Sequence, residues 1–393
     1  MSAQEGLRQD SLKDDSLKFA SAKSVSPPAA TETEDQRFMA LALSLGRRGL
    51  GRTWPNPAVG AVIVKDGVIV ARGWTQQGGR PHAEIEALRR AGAAAGGATL
   101  YVTLEPCSHV GKSPPCADAV IAAGVVRVVS ALEDPNPDVA GGGYARLRAA
   151  GIAVDIGIGA EEARHDHAGH IRRMHDGRPR VMLKLAISAD GKAGVAGGHP
   201  VAITGDAVRD RVHLLRAEND AIMIGVGTAL ADDPMLTCRL PGMAKNSPVR
   251  IVLDSALRLP LKSRLVQTAR ETPLWVISGA NAPRPAEQAL QAQGVEVLRA
   301  DDSEGRFGLA VALKLLAARG ITRLMVEGGP TLAAALIRSD LVDQAILFYS
   351  AKTLGGEALD ALNPAAAAAL AHRLKHTASE PVGPDRQDVY ERR

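Results

Sequence analysis

Three side chains restrict this chain more than anything else in it: His82 in Pro81-His82-Ala83-Glu84, Cys107 in Glu105-Pro106-Cys107, and Cys116 in Pro114-Pro115-Cys116. One imidazole and two thiolates form a three-ligand zinc set, so the fold must carry three separate segments to one point. With three protein ligands a fourth position stays open for water, as a catalytic zinc requires. Zinc lowers the pKa of such a water to roughly 7, which makes hydroxide available at neutral pH. Glu84 stands two residues beyond the histidine, where a helix is expected to begin. From there it reaches the water without ligating the metal and can move its proton.

The arrangement follows the H-x-E…P-C…C logic of the zinc nucleobase deaminases, in which the glutamate passes a proton from water to substrate nitrogen. The usual spacing is P-C-x-x-C, whereas eight residues separate Cys107 from Cys116. A structural zinc in a non-enzymatic binding module would recruit a fourth Cys or His, and His109 is the one close by. The two readings differ in the zinc sphere: three protein ligands with a water beside Glu84, or four protein ligands. The inserted loop places His109 and Lys112 between two ligands. A solvated loop accounts for them, and so do contacts to a phosphorylated or otherwise anionic substrate, which is the reading preferred.

Composition narrows the class. The 393 residues are 46% apolar and 23% charged, enough to bury the cores of about two domains. Three cysteines are an odd, low number for a disulfide framework, and the third, Cys238, reads as an inert thiol. The formal charge is +4 and aromatics are 3%, with no block of like charges. That disfavours a nucleic-acid partner and leaves room for an anionic small molecule. No apolar run reaches the ~18 residues of a membrane span. Residues 1–33 are rich in Ser, Lys, Asp and Pro and lack an apolar h-region. A disordered extension is expected there, not a secretory signal. These features suit a cytoplasmic enzyme.

Hydrophobic periodicity divides the remainder. After a helix over 34–49, the order β-β-α-β-α-β-α-β predicts an α/β domain over 34–159. Residues 160–178 carry His165, His167, His170 and His175, none paired at i, i+4, and a solvated linker helix is expected. From Pro179, strands at 181–186, 221–224, 249–253, 274–277, 295–298, 324–326 and 344–349 alternate with helices at 206–217, 284–293, 308–319 and 331–338. This predicts a second α/β domain, 179–393. No G-x-G-x-x-G follows its first strand, so a Rossmann fingerprint is missing. Glu327-Gly328-Gly329-Pro330-Thr331 runs from a strand through a glycine pair into a helix. Such a junction offers backbone N–H groups to a pyrophosphate, although a tight turn without ligand has the same spacing. Arg216, Asp232 and Arg239 read, by spacing alone, equally as surface charge.

Several motifs resemble the bifunctional deaminase–reductase family of riboflavin biosynthesis. In the first domain they are Asn56-Pro57-x-Val59-Gly60, Pro81-His82-Ala83-Glu84, Thr103-Leu104-Glu105-Pro106-Cys107-Ser108-His109, Pro114-Pro115-Cys116 and Asp134-Pro135-Asn136-Pro137. In the second they are Lys184-Leu185-Ala186, Val212-His213-x-x-Arg216, Asp232-Asp233-Pro234-x-Leu236-Thr237-x-Arg239 and Glu327-Gly328-Gly329-Pro330-Thr331. The resemblance covers about 34–390. It implies a cytidine-deaminase-like α/β/α domain followed by a dihydrofolate-reductase-like α/β domain. It also implies one Zn2+ per chain, NADPH, and a homo-oligomer, dimer or tetramer.

The implied reactions are hydrolytic deamination of 2,5-diamino-6-ribosylamino-4(3H)-pyrimidinone 5′-phosphate and then reduction of its ribosyl group to ribityl. By the same resemblance Asn56, His109, Lys112, Asp134 and Asn136 meet the deaminase substrate. Arg216, Leu236, Arg239 and Glu327 meet the reductase substrate, two arginines being suited to clamping its 5′-phosphate. Ala186, Ala202, Thr228, Asp232, Ser255, Gly329, Pro330 and Thr331 fall at NADPH-contacting positions. Lys184 and Asp232 are candidates for polarising the ribose-derived carbonyl or imine, or for supplying its proton. Where the family often has a histidine this chain has Thr75, and Pro200 and Ala202 replace a frequent Ser and Trp.

Overall fold

Two layered α/β cores and the joint between them emerge in a computed structural model that describes residues 33–110, 114–195, 201–300, 308–356 and 358–393. The first core comprises α1 (Glu34–Arg47), β1 (Gly60–Lys65), β2 (Val68–Trp74), α2 (Ala83–Ala91), β3 (Thr99–Val102), α3 (Cys116–Ala122), β4 (Arg127–Ser130), α4 (Gly142–Ala149) and β5 (Ala153–Ile156). Among the described residues its sheet has the order β2-β1-β3-β4-β5. The β1–β2 and β1–β3 pairs are antiparallel, whereas β3–β4 and β4–β5 are parallel. Asp66 and Gly67, both at positive φ, make the tight turn of the β1–β2 hairpin, as an Asp-Gly pair favours.

Alternation along β1 makes this sheet the middle of three layers. Ala61 and Ile63 pack with Ala83 and Ala87 of α2, Ala117 and Val120 of α3, and Leu147 of α4. Val62 and Val64 point the other way, onto Met39, Ala42 and Leu43 of α1.

Two helices, α5 (Ala160–Asp166) and α6 (Ala168–Asp176), fill the linker, where one solvated helix was expected. His167 sits at the break between them. The solvated expectation does not hold: His167 and His170 are buried, because this segment lies against both domains. Arg323 donates to the Asp166 carbonyl at 3.2 Å, and Arg173 Nε donates to the Ala317 carbonyl at 2.8 Å.

The second core follows as β6 (Arg180–Ile187), β7 (Lys192–Val195), α7 (Asp206–Ala217), β8 (Ala221–Gly225), α8 (Val226–Asp232), β9 (Val249–Leu253), α9 (Arg264–Gln267), β10 (Leu274–Ser278), α10 (Arg284–Ala292), β11 (Glu296–Arg299), α11 (Leu309–Ala318), β12 (Arg323–Val326), α12 (Pro330–Arg338), β13 (Gln344–Tyr349), β14 (Ala358–Asp360), α13 (Pro364–Arg373), β15 (Leu374–Val382) and β16 (Asp385–Arg392). Among the described residues its large sheet runs β11-β10-β9-β8-β12-β6-β13-β16-β15. The first seven of these strands are parallel; β16 and β15 add an antiparallel hairpin at one edge. Helices cover both faces, as buried parallel strands require. Val181, Leu183 and Leu185 of β6 pack with α11, α12 and α13, and Met182 packs with Val208, Val212 and Leu215 of α7.

Candidate active sites

The zinc ligands gather at the N-terminal ends of two helices. His82 caps α2 in an extended conformation, and Cys116 is the first residue of α3. His82 Nδ1 lies 3.8 Å from Cys107 Sγ and 3.3 Å from Cys116 Sγ, and all three ligand atoms fall within 4.8 Å of one another. A tetrahedral zinc with Zn–N of about 2.0 Å and Zn–S of about 2.3 Å holds such atoms about 3.6 Å apart. The donor set therefore fits zinc in kind and in spacing. Among the described residues the group has these three members; His109 is exposed and outside it. The Cys116 backbone N–H donates to Cys107 Sγ at 3.3 Å, which favours that sulfur as a thiolate and fixes its direction. Thiol and imidazole neighbours hold Cys107 well below the ordinary thiol range.

Glu84, in the first turn of α2, is 3% exposed. Burial pushes its carboxyl up to about 7, with His82 pulling the other way. Asn56 stands beside the ligands: its amide donates to the Gly79 carbonyl at 2.8 Å and lies 3.5 Å from His82 Nε2. Lys112 lies outside the described residues.

Glu105, two residues before the first zinc cysteine, was not singled out by sequence reasoning, and it organises the wall that carries Asp134 and Asn136. Its carboxylate accepts backbone N–H groups from Asp134, Gly141, Gly143 and Tyr144 at 2.7–3.2 Å. Asp134 Oδ1 then accepts the Asn136 N–H at 2.9 Å and faces His170 Nε2 at 3.1 Å. Thr75, where a histidine is frequent, is buried, and its hydroxyl accepts the Val59 N–H at 3.0 Å. It locks the loop between β2 and α2 to the start of β1.

The second site is a cavity of about 980 Å3 at the carboxyl ends of β6, β8, β9 and β12, where open parallel sheets place their ligands. Lys184, Ala186, Ala202, Arg216, Thr228, Asp232, Arg239, Glu327, Gly329, Pro330 and Thr331 all line it. His213, quoted above only as part of a motif, lines it too, as do Arg209 and Arg258, which no motif marked. Leu236 and Ser255 do not. Leu236 is buried in the core at φ 55, and Ser255 stands exposed in the turn after β9. Pro200 lies outside the described residues.

Charges in this cavity are already partly matched. Arg216 grips Glu327 with two hydrogen bonds, 2.6 and 2.9 Å. Burial alone would raise the Glu327 carboxyl, but Arg216 holds it below its ordinary value. The Arg216 fork is therefore committed, which revises its expected place as one of two phosphate clamps. Arg239 is exposed at the rim, with the positive charges of Arg216, Arg264 and Arg209 around it. Burial pushes the Lys184 ammonium below the usual lysine range, with Glu327 opposing.

The cavity also fits a dinucleotide. A Cβ at Gly225 or Gly227 would meet nothing within 4 Å, so the backbone there lies open to the cavity. Thr228 Oγ1 accepts the Gly329 N–H at 3.2 Å, tying that turn to the start of α12.

Comparison with known proteins follows the same division. The family model "Cytidine and deoxycytidylate deaminase zinc-binding region" matches residues 32–132, and "RibD C-terminal domain" matches residues 179–387. The chain is 44% identical over 336 residues to the riboflavin biosynthesis protein RibD of Escherichia coli, covering 83% of this chain and 90% of that protein. It is 43% identical to RibD of Aquifex aeolicus, over 82% and 88%. A solved structure of Acinetobacter baumannii RibD superposes with a TM-score of 0.82 at 36% identity, covering 92% of this chain and 99% of that one. The Thermotoga maritima diaminohydroxyphosphoribosylaminopyrimidine deaminase/5-amino-6-(5-phosphoribosylamino)uracil reductase gives 0.79 at 34%, over 92% and 99%.

Proposed function

The chain belongs to the RibD family of bifunctional deaminase–reductases of riboflavin biosynthesis, and from that premise we propose which of its residues perform each reaction. The N-terminal domain is a zinc deaminase and the C-terminal domain an NADPH reductase. The substrate read for the first step is 2,5-diamino-6-ribosylamino-4(3H)-pyrimidinone 5′-phosphate, in line with the name of the T. maritima relative. One observation carries the assignment of residues: a three-member ligand set with buried Glu84 beside it.

When bound, zinc supplies the Lewis acidity that brings a water's pKa to about 7. His82, Cys107 and Cys116 would hold the ion. Glu84 takes a proton on a carboxylate oxygen and returns it to the leaving amino nitrogen, so that ammonia departs. Asn56, Asp134 and Asn136 orient the pyrimidine, and His109 is assigned to its phosphate, as is Lys112, which lies outside the described residues.

In the second domain NADPH supplies the hydride, so the chain's task is alignment and charge stabilisation. Arg239, which makes no ion pair with a carboxylate among the described residues, holds the 5′-phosphate. Glu327 and Arg216 form a fixed polar wall. Lys184 and Asp232 polarise the ribose-derived carbonyl or supply its proton. Ala186, Ala202, Thr228 and the Gly329-Pro330-Thr331 turn cradle the cofactor. Leu236 and Ser255, which do not line the cavity, take no part in this reading. A cytoplasmic location and a homo-oligomer belong to the same reading.

The test is incubation of the purified protein with the diaminopyrimidine nucleotide. Ammonia is released without NADPH, and adding NADPH starts its oxidation. Ammonia release with no NADPH consumption would remove the reductase assignment.

A further inference from the structure

His170 belongs to neither catalytic domain by sequence, yet its side chain ends at the deaminase wall. It sits on α6, in the linker, and is 8% exposed. Its Nε2 lies 3.1 Å from Asp134 Oδ1, and both side chains are about nine-tenths buried. The same oxygen accepts the Asn136 N–H at 2.9 Å. Two donors on Oδ1 fix the carboxylate's rotation. Burial makes the imidazole contact costly to lose, because water cannot replace it.

The backbone and the side chain of Asp134 are thus held by different parts of the molecule. Glu105 of the deaminase domain accepts the Asp134 N–H at 3.2 Å. The side chain is held by a helix that docks on the reductase domain. On that helix Arg173 Nε donates to the Ala317 carbonyl at 2.8 Å. A Cβ on Gly169, next to His170, would come within 2.8 Å of the carbonyl oxygen of Thr322, the residue before β12, so the helix lies directly on the reductase domain there. His170 also shares the lining of a small cavity, about 10 Å3, with Asn56, whose amide is 3.5 Å from the zinc histidine.

We infer that His170 is a positioning residue of the deaminase: it orients Asp134 for the pyrimidine, and it does so from a helix whose place is set by the reductase domain. This rests on the reading of Asp134 as a residue of the deaminase pocket. The fusion of the two domains then has a structural consequence, in that the reductase half helps to shape the deaminase pocket.

The test compares His170→Leu, His170→Gln and Asp134→Asn in the full chain. It reads kcat and KM for ammonia release, zinc content, and NADPH oxidation on the deaminated nucleotide. Loss of a hydrogen bond to a charged group predicts that His170→Leu raises the deaminase KM about tenfold while kcat, zinc and the reductase stay near wild type. A glutamine amide can donate from the place of Nε2, so His170→Gln returns KM to within about twofold of wild type. Equal impairment by Leu and Gln, or an unchanged KM with Leu, overturns the inference while Asp134→Asn still raises KM. If Asp134→Asn leaves KM unchanged, the pocket reading of Asp134 falls and takes the inference with it.

Discussion

Arg216 and Arg239 look alike in the sequence and stand differently in the structure. Arg216 is bidentate to Glu327, and both side chains are nearly buried. Removing it leaves a carboxylate buried without its partner, a change that costs about 3–5 kcal/mol. Arg216→Ala is therefore expected to lower the unfolding midpoint as well as the reductase rate. Arg239 has no such ion pair among the described residues, so Arg239→Ala is expected to raise the reductase KM about tenfold or more, leaving the unfolding midpoint and ammonia release unchanged. Urea unfolding and steady-state kinetics on both variants check this; equal loss of stability in both contradicts it. The sequence made the zinc set readable because His82, Glu84, Cys107 and Cys116 lie in short motifs with their own chemical logic. It could not show which arginine was committed, since Glu327 is 111 residues from Arg216 and only the fold brings them together.

At the scale of elements, the strands and helices expected in the second domain were legible within a residue or two: α7 was expected at 206–217 and occupies Asp206–Ala217. The linker was misread as solvated because its buried positions are Ala163, Asp166, His167, Gly169, His170 and Arg178, mostly without an apolar signature. The terminal hairpin went largely unread for a related reason: β15 is exposed almost throughout, so no alternation marks it. Burial of the linker has a pH consequence. Burial, with His170 beside it, pushes the His167 imidazole down to about 4, while Asp166 and Asp134 oppose. In the unfolded chain that imidazole takes up a proton near pH 6.5. The contribution to stability is therefore present above about pH 6.5 and lost as the pH falls towards 4, up to about 3 kcal/mol. Unfolding free energies measured across that range should fall with pH in the wild type and fall less in His167→Gln; identical slopes would refute the assignment.

For the whole molecule, the two catalytic domains share a close interface. Residues 34–393 cluster as one unit. Trp54 of the first domain meets Trp275 of the second edge to face at 6.4 Å, and Pro55 packs at Gly320. Gly51 sits at φ 72, where an added Cβ would come within 2.3 Å of the Ala217 carbonyl oxygen. Gly51→Ala combines a left-handed backbone with that clash and is expected to cost about 1–3 kcal/mol. Thermal unfolding should show a lowered midpoint with both activities lost in parallel on heating; an unchanged midpoint would mean the interface yields freely.

The central claim is that one chain holds two separate sites, with Glu84 serving only the first. The direct measurement is Glu84→Gln, purified with its zinc and assayed for both reactions. Expected are bound zinc as in wild type, ammonia release reduced by about 10²-fold or more, and undiminished NADPH oxidation when the deaminated nucleotide is supplied. Ammonia release at the wild-type rate would contradict the claim.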